Sequence, residues 1–340
     1  MWRRANEVLV YFNNDGYGCV VRDARGLIRA LGSSCRARFR MTAPMRIDEI
    51  IKRSEEPIFS FEFFPPKSEV GERNLREAIE KLAPLEPSFV SITYGAGGST
   101  RELTVELTRW MKHELGLEAM SHLTGYGATL DELRAVLDRI SAAGIENVLA
   151  LRGDPPRDRP DWRAENEAIR FASDLIELIA GEYPFCVGAA CYPEVHVEAT
   201  DLASEIRALQ SKAKAGASFF ITQLFFDNSV YFDFVEAVRA AGIEQPIIPG
   251  LMPITNAEQI TRMTALSGAT IPKQLVAQIE LRASDPGTVL ELGVAHAALQ
   301  AADLLARGAP GIHFYTLNRS PATRAILSAL KISRPWQKRS

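Results

Sequence analysis

The sequence predicts an α/β chain folded as a (β/α)8 TIM barrel, with extra helices between strands 7 and 8. Three observations carry that expectation. Short β-rich apolar runs recur eight times, most of them about 30 residues apart, the length of one βα unit. Stretches with a helical period separate them. Glycines stand at the recurring helix exits, just before an apolar strand. A doubly wound sheet is the structural alternative, but eight regular units favour closure.

The first run, IFSFEFF (58–64), alternates. Phe59, Phe61 and Phe63 share one face, and Ser60, Glu62 and Phe64 the other. In a barrel strand the first set packs under the helices, so Glu62 faces the interior. The two prolines that follow end the strand and put Glu62 near the barrel mouth. SFVSITY (88–94), LEAMSHLT (117–124) and NVLALRG (147–153) are the next three strands. FCVGAACY (185–192), SFFITQL (218–224), PIIPGLM (246–252) and GIHFYTL (311–317) complete the set. The clearest helix, TLDELRAVLDRISAAG (129–144), carries Leu130, Leu133, Leu137 and Ile140 on one face. Thr129 and Glu132 form its capping box and Gly144 its stop. Ser99 and Glu102 repeat the cap before the preceding helix. The exits AAGI (142–145), KAGA (214–217), AAGI (240–243) and RGAPGI (307–312) each place a Gly before a strand. Strands seven and eight are separated by roughly 60 residues, with helical sequence at 273–307.

Composition narrows the function classes. The chain has 340 residues, 46% hydrophobic and 24% charged, with net charge −3 and pI near 6.1. That balance gives no reason to expect nucleic acid, and no run approaches the ~18 apolar residues of a membrane span. Four cysteines without a signal peptide point to a reducing cytoplasm. Cys186 and Cys191 should face opposite sides of one strand and serve as packing. Residues 1–44 carry eight Arg against three acids, which leaves −8 for the rest. They read as a disordered extension without a catalytic part, ahead of a catalytic barrel at 45–335. Such an Arg-rich start can also resemble a transit peptide.

Barrel chemistry gathers at the C-terminal ends of the strands. Those ends supply Glu62, Thr93 and Tyr94, His122, Arg152-Gly153-Asp154, Tyr192 and His196, Gln223, and Asn318-Arg319. Each has a plainer reading. YGAGGST (94–100) can be an ordinary β-to-α turn or a close backbone approach to a phosphate at a helix N-terminus. It is not a Rossmann fingerprint. RGDPP (152–156) can be a simple ion pair, and both histidines can be structural. Cys and His are too scattered for a metal site, so none is expected.

The motifs FEFFPPK, SITYGAGGS, LRGDPP, YPEVH, ITQLFFD, IIPGLMP and HFYTLNR, in this order, resemble the methylenetetrahydrofolate reductase family over about residues 45–335. The resemblance implies a flavoprotein barrel that uses FAD to pass hydride from NADH or NADPH to 5,10-methylenetetrahydrofolate. It implies a homo-oligomer with a small-molecule folate substrate and no nucleic-acid or membrane partner. No second domain follows the barrel segment, so the S-adenosylmethionine-regulated form is not expected. The resemblance makes Glu62 the general acid and gives Asp154 a catalytic role. It puts flavin contacts on Tyr94, Ala96, His122, Arg152, Gly153, Asp154, Ala172, Tyr192, His196, Ala199, Glu205 and Lys212. Thr93 and Gln223 match positions that meet the nicotinamide cofactor, and Asp154, Gln223, Gln259 and Arg319 match folate contacts. Two positions depart from the family pattern: Phe171 stands where the family has Tyr, and the acidic flavin position is Glu205.

The implied chemistry suits a buried carboxyl. Opening the substrate's five-membered ring requires protonation of N10, and a carboxyl among aromatic rings favours its neutral form. General acid catalysis of this kind contributes about 10²–10⁴-fold. Arg319 could hold the substrate's glutamate tail, and one shared site for both substrates implies ping-pong kinetics. The alternative from another class is a non-redox pterin-binding TIM barrel, a methyl transferase or lyase.

Overall fold

The computed structural model describes residues 45–94, 101–153, 169–196 and 199–337. The expected extension at 1–44, the Ser99 cap, and the candidate residues Ala96 and Asp154 lie outside the described residues.

The strands are β1 (Ile58–Phe63), β2 (Phe89–Ile92), β3 (Ala119–Thr124), β4 (Asn147–Leu151) and β5 (Cys186–Cys191). They continue as β6 (Phe219–Thr222), β7 (Ile247–Ile248), β8 (Gly250–Leu251) and β9 (Gly311–Tyr315). All pair in parallel, in the order β7-β6-β5-β4-β3-β2-β1-β9-β8. The result is a nearly closed (β/α)8 barrel, as the sequence predicts.

The seventh predicted strand differs from expectation, because it is two short pieces. Pro249 has no N–H to give the ladder, and the chain changes neighbour there. Before it, Ile247 and Ile248 pair with Phe220 and Ile221 of β6. After it, Gly250 and Leu251 pair with His313 and Phe314 of β9. The Gly250 N–H donates to Thr222 Oγ1 at 2.9 Å across the seam. A Cβ at Gly250 would stand 2.4 Å from the Thr222 carbonyl oxygen, so only glycine lets the seam close.

Alternation along β1 comes out as predicted. Phe59, Phe61 and Phe63 belong to the large core between strands and helices. Ile58 joins Phe89, Met120, Leu149, Cys186, Phe219, Ile221 and Ile248 inside the barrel. Each fully buried Phe contributes roughly 1.5–3 kcal/mol. Cys186 faces that interior and Cys191 the outer core; both are free thiols. Ile47, at the start of helix Ile47–Arg53, plugs the bottom, its N–H donating to Asn147 Oδ1 at 2.8 Å.

Helix Leu130–Ala142 buries Leu133, Val136, Leu137 and Ile140, and both capping-box bonds between Thr129 and Glu132 form. The exit glycines 144, 216, 242 and 308 all take positive φ. Between β8 and β9 lie three helices, Ala257–Ser267, Lys273–Leu281 and Pro286–Ala306. Among the described residues, Pro286–Ala306 is the one helix long and apolar enough, by length and composition alone, to cross a membrane. It buries Val289, Gly293, Ala297, Ala301 and Leu304, and Gly293 allows the chain at Ile254 to pass against it.

Candidate active site

Glu62 points into the barrel at the end of β1 and is only 7% exposed. Its Oε2 lies 3.3 Å from His313 Nε2 and 3.5 Å from His122 Nε2. The second distance is long for a hydrogen bond, and it leaves His122 Nε2 poorly satisfied. Burial, opposed by the Glu62 charge and reinforced by His313, holds the His122 imidazole down at about 4. The ring therefore stays neutral near pH 7. The Glu62 carbonyl accepts from Thr316 Oγ1 at 2.7 Å, which ties β1 to the end of β9.

Around this carboxyl the rim is closely stitched. Asn318 exchanges two bonds with the Phe64 main chain, at 2.8 and 2.9 Å. To do so, Leu317 and Asn318 adopt φ of +52° and +58°. Two adjacent non-glycine residues in that region store strain of the kind that gathers at functional rims. Tyr315 donates to the Thr222 carbonyl at 2.6 Å. Burial first, and then the Glu62 charge, push its phenol well above its ordinary value.

A groove of about 700 Å³ opens at the ends of β4 and β5, a size suited to a large ligand. It gathers most of the predicted flavin positions: Tyr94, Arg152, Gly153, Ala172, Tyr192, His196, Ala199, Glu205 and Lys212. Gly153, at φ +85°, could not carry a side chain, since a Cβ would stand 2.9 Å from Thr124 Cβ. Val195 takes φ +70°, a rare geometry for a β-branched residue, at the turn that presents His196. The His196 ring meets Tyr192 edge-on, with centroids 4.6 Å apart. Lys212 and Glu205 both lie buried on helix Leu202–Ala215. Lys212 donates to the Ala190 carbonyl at 2.8 Å, and burial lowers its pKa against the opposing pull of Glu205. Glu205 Oε1 has no hydrogen-bond partner among the described residues.

Other predicted residues stand apart from this groove. His122 sits deeper, beside Glu62. Thr93 ends β2, its N–H bonded to the Phe63 carbonyl at 2.8 Å. Gln223 follows β6 and accepts from the Leu224 N–H at 2.9 Å. Arg319 lines a smaller cavity of about 140 Å³ with Pro253, Thr255 and Tyr315. Gln259 comes close to it through a 3.0 Å bond from Thr255 Oγ1. Sequence reasoning passed over Ser60, His313 and Tyr315. The i, i+2 spacing of His313 and Tyr315 on the last strand was the available signal.

The family model for methylenetetrahydrofolate reductase matches residues 46–331. Methylenetetrahydrofolate reductase (NADH) 1 of Arabidopsis thaliana is 37% identical over 313 residues, covering 86% of this chain and 53% of that protein. The 5,10-methylenetetrahydrofolate reductase of Escherichia coli is 37% identical over 276 residues, covering 80% of this chain and 90% of the relative. The chain thus spans about half the length of the plant relatives that it matches. Among solved structures, an uncharacterized protein from Clostridium thermocellum that binds two copies of 5-methyl-5,6,7,8-tetrahydrofolic acid shares the fold. Its TM-score is 0.59 at 17% identity, over 85% of this chain and 99% of that one. With a matching family model over most of its length, on a barrel whose mouth holds the expected glutamate, the chain belongs to the methylenetetrahydrofolate reductase family.

Proposed function

We propose that this chain reduces 5,10-methylenetetrahydrofolate to 5-methyltetrahydrofolate, with FAD as the bound carrier and NADH or NADPH as the hydride source. The observation that carries the reading is Glu62, a carboxyl 7% exposed at the catalytic end of the barrel. Buried carboxyls without a full ionic partner are expensive unless they serve a purpose. Protonating N10 is such a purpose, because it lets the substrate ring open to an iminium.

The groove at the ends of β4 and β5 suits FAD on its own chemistry. A ligand with hydroxyl groups would satisfy the buried Glu205 Oε1. Arg152 and Lys212 bring cationic groups to the same wall, as a pyrophosphate needs. Phe171, 61% exposed on the groove, offers a flat apolar face to an aromatic ring system. When bound, FAD supplies a two-electron hydride carrier that both substrates can reach in turn.

This chain's own residues do the remaining work. Glu62 delivers the proton to N10. The neutral His122 presents an imidazole to the same pocket without adding a positive charge. Arg319, exposed on the opposite rim, can hold the anionic tail of the substrate.

The test is Glu62→Gln. The variant should still bind flavin and have it bleached near ~450 nm by NADH, and should lose folate reduction by about 10²-fold or more. Normal folate turnover in that variant, or a protein that takes up no flavin on reconstitution, refutes the reading.

A further inference from the structure

The three helices between β8 and β9 are held unevenly. The long one, Pro286–Ala306, is fixed to the barrel by polar bonds. Gln300, buried on that helix, donates from Nε2 to the Phe225 carbonyl at 3.0 Å. Asn228, which starts helix Asn228–Ala240, donates from Nδ2 to the Gln300 carbonyl at 3.0 Å and to Asp303 Oδ2 at 2.7 Å. Helix Ala257–Ser267 has much less to hold it. Ile260 is its one buried residue. It rests on a small core of its own, with Leu224, Phe226 and Ile254 below and Leu275 and Ile279 from helix Lys273–Leu281. A helix with so few buried contacts belongs to the low-stability end of a fold. Gln259 stands next to Ile260 on this helix, so its direction depends on how the helix sits.

One bond from the flavin side reaches the far end of that helix. Glu194 Oε2 accepts from the Thr270 N–H at 2.9 Å, 76 residues away in the chain. Thr270 lies two residues past Gly268, whose φ of +75° ends the helix. Its neighbour Ala269 is buried in the small core, so a hold on Thr270 is a hold on both short helices. Glu194 itself belongs to the turn after β5, where the Val195 N–H donates to the Tyr192 carbonyl at 3.1 Å. It sits between Tyr192 and His196, which line the groove, without lining the groove itself. Bonds from backbone N–H groups to carboxylates are among the stronger hydrogen bonds.

We propose that Glu194 is a positioning residue for the folate substrate. It ties the turn that carries Tyr192 and His196 to the end of helix Ala257–Ser267, and so fixes Gln259 beside the cavity that Arg319 lines. This inference rests on the reductase reading, in which Gln259 meets the folate. Glu194 touches neither substrate nor flavin and moves no proton; it acts through the helix. Flavin reduction by the nicotinamide does not use Gln259 and lies outside the effect.

Steady-state kinetics and hydrogen exchange on the flavin-loaded full chain test it. Glu194→Ala should raise the folate KM about fivefold with kcat within about twofold, an indirect share of what a hydrogen bond to a charged group contributes. Flavin affinity and flavin reduction by the nicotinamide should stay at their wild-type values. Glu194→Gln, whose amide oxygen still accepts, should keep the folate KM within about twofold of wild type. Peptides covering 257–272 should exchange about fivefold faster in Glu194→Ala, while those covering the strands stay unchanged. An unchanged folate KM or unchanged exchange in Glu194→Ala overturns the proposal, as do equal losses in the Ala and Gln variants. Weaker flavin binding at an unchanged folate KM would mean that Glu194 serves only its own turn, and overturns it too. Absence of folate reduction in the wild-type chain counts against the reductase reading instead. The exchange of 257–272 then decides the tether alone, and unchanged protection in Glu194→Ala refutes it.

Discussion

The carbonyl of Pro249 accepts a hydrogen bond from the His313 N–H at 2.9 Å. This one contact joins the barrel seam to the interior that holds Glu62. Pro249 ends the pairing with β6, and its carbonyl begins the pairing with β9, the strand whose register with β1 puts His313 level with Ser60. Closure of the fold and placement of the histidine beside Glu62 therefore share one strand, β9.

The seam predicts the first outcome. Gly250→Ala brings a methyl to 2.4 Å from the Thr222 carbonyl and 2.6 Å from the Tyr315 ring. Neither the backbone nor the packed ring can yield without opening β8 from its neighbours. Urea denaturation should show a loss of about 2–3 kcal/mol, as for overpacked cores. Wild-type stability would mean that the seam is looser than its contacts indicate.

His122 makes stability depend on pH. Its folded-state pKa is about 4 against an ordinary 6.5, because burial disfavours the imidazolium. The unfolded chain then binds more protons between those values, so stability falls as pH drops from about 6.5 toward 4. Fully developed, the effect is of order 3 kcal/mol. Glu62, whose charge opposes the shift, and His313, which reinforces it, face the same pocket. His122→Asn should flatten this limb of a stability–pH curve. A variant with an unchanged slope would mean that other groups carry the acid sensitivity.

Lys212 and Glu205 lie buried on one helix, where Lys212 donates to the Ala190 carbonyl and the charge of Glu205 opposes the desolvation that lowers the Lys212 pKa. Lys212→Met removes the bond to the Ala190 carbonyl and the positive charge nearest the buried Glu205, and should destabilise the fold by about 1–3 kcal/mol. Adding Glu205→Gln to that variant should restore much of the loss, because no uncompensated charge remains. Chemical denaturation of the two variants gives the comparison. A double variant no more stable than Lys212→Met would argue that packing, not charge, is what Lys212 supplies.

Phe171 is 61% exposed on the groove and lies ahead of helix Ala172–Glu182. An exposed side chain of that kind contributes little to folding, so Phe171→Ala should leave stability within about 0.5 kcal/mol. Its flavin affinity, read by fluorescence titration, should fall roughly 10-fold if the ring is a stacking surface. Restoring the hydroxyl with Phe171→Tyr should keep the wild-type affinity or improve it. Equal affinity in the Ala variant would remove Phe171 from the cofactor site.

Much of this molecule is legible in the sequence because its signals are local. Alternation along FSFEFF depends only on strand geometry, and it correctly separated the three phenylalanines from Glu62. The Thr129–Glu132 box and the exit glycines depend on a single turn of chain each. The groove positions at Tyr192, His196, Glu205 and Lys212 were accessible through motif resemblance, and the structure brings them to one wall. What escaped was set by contacts between distant residues. Nothing near Ser60 announces His313, 253 positions away; only the β1–β9 register makes them neighbours.

The amino-acid sequence by itself determined the eightfold βα repeat and the inward direction of Glu62, because strand alternation, helix period and capping act over a few residues. Only the tertiary structure decided that the seventh strand breaks at Pro249 and that two imidazoles converge on one oxygen of Glu62. Those outcomes follow from how a closing barrel sets the register of its first and last strands, a geometric condition that no local stretch of chain contains.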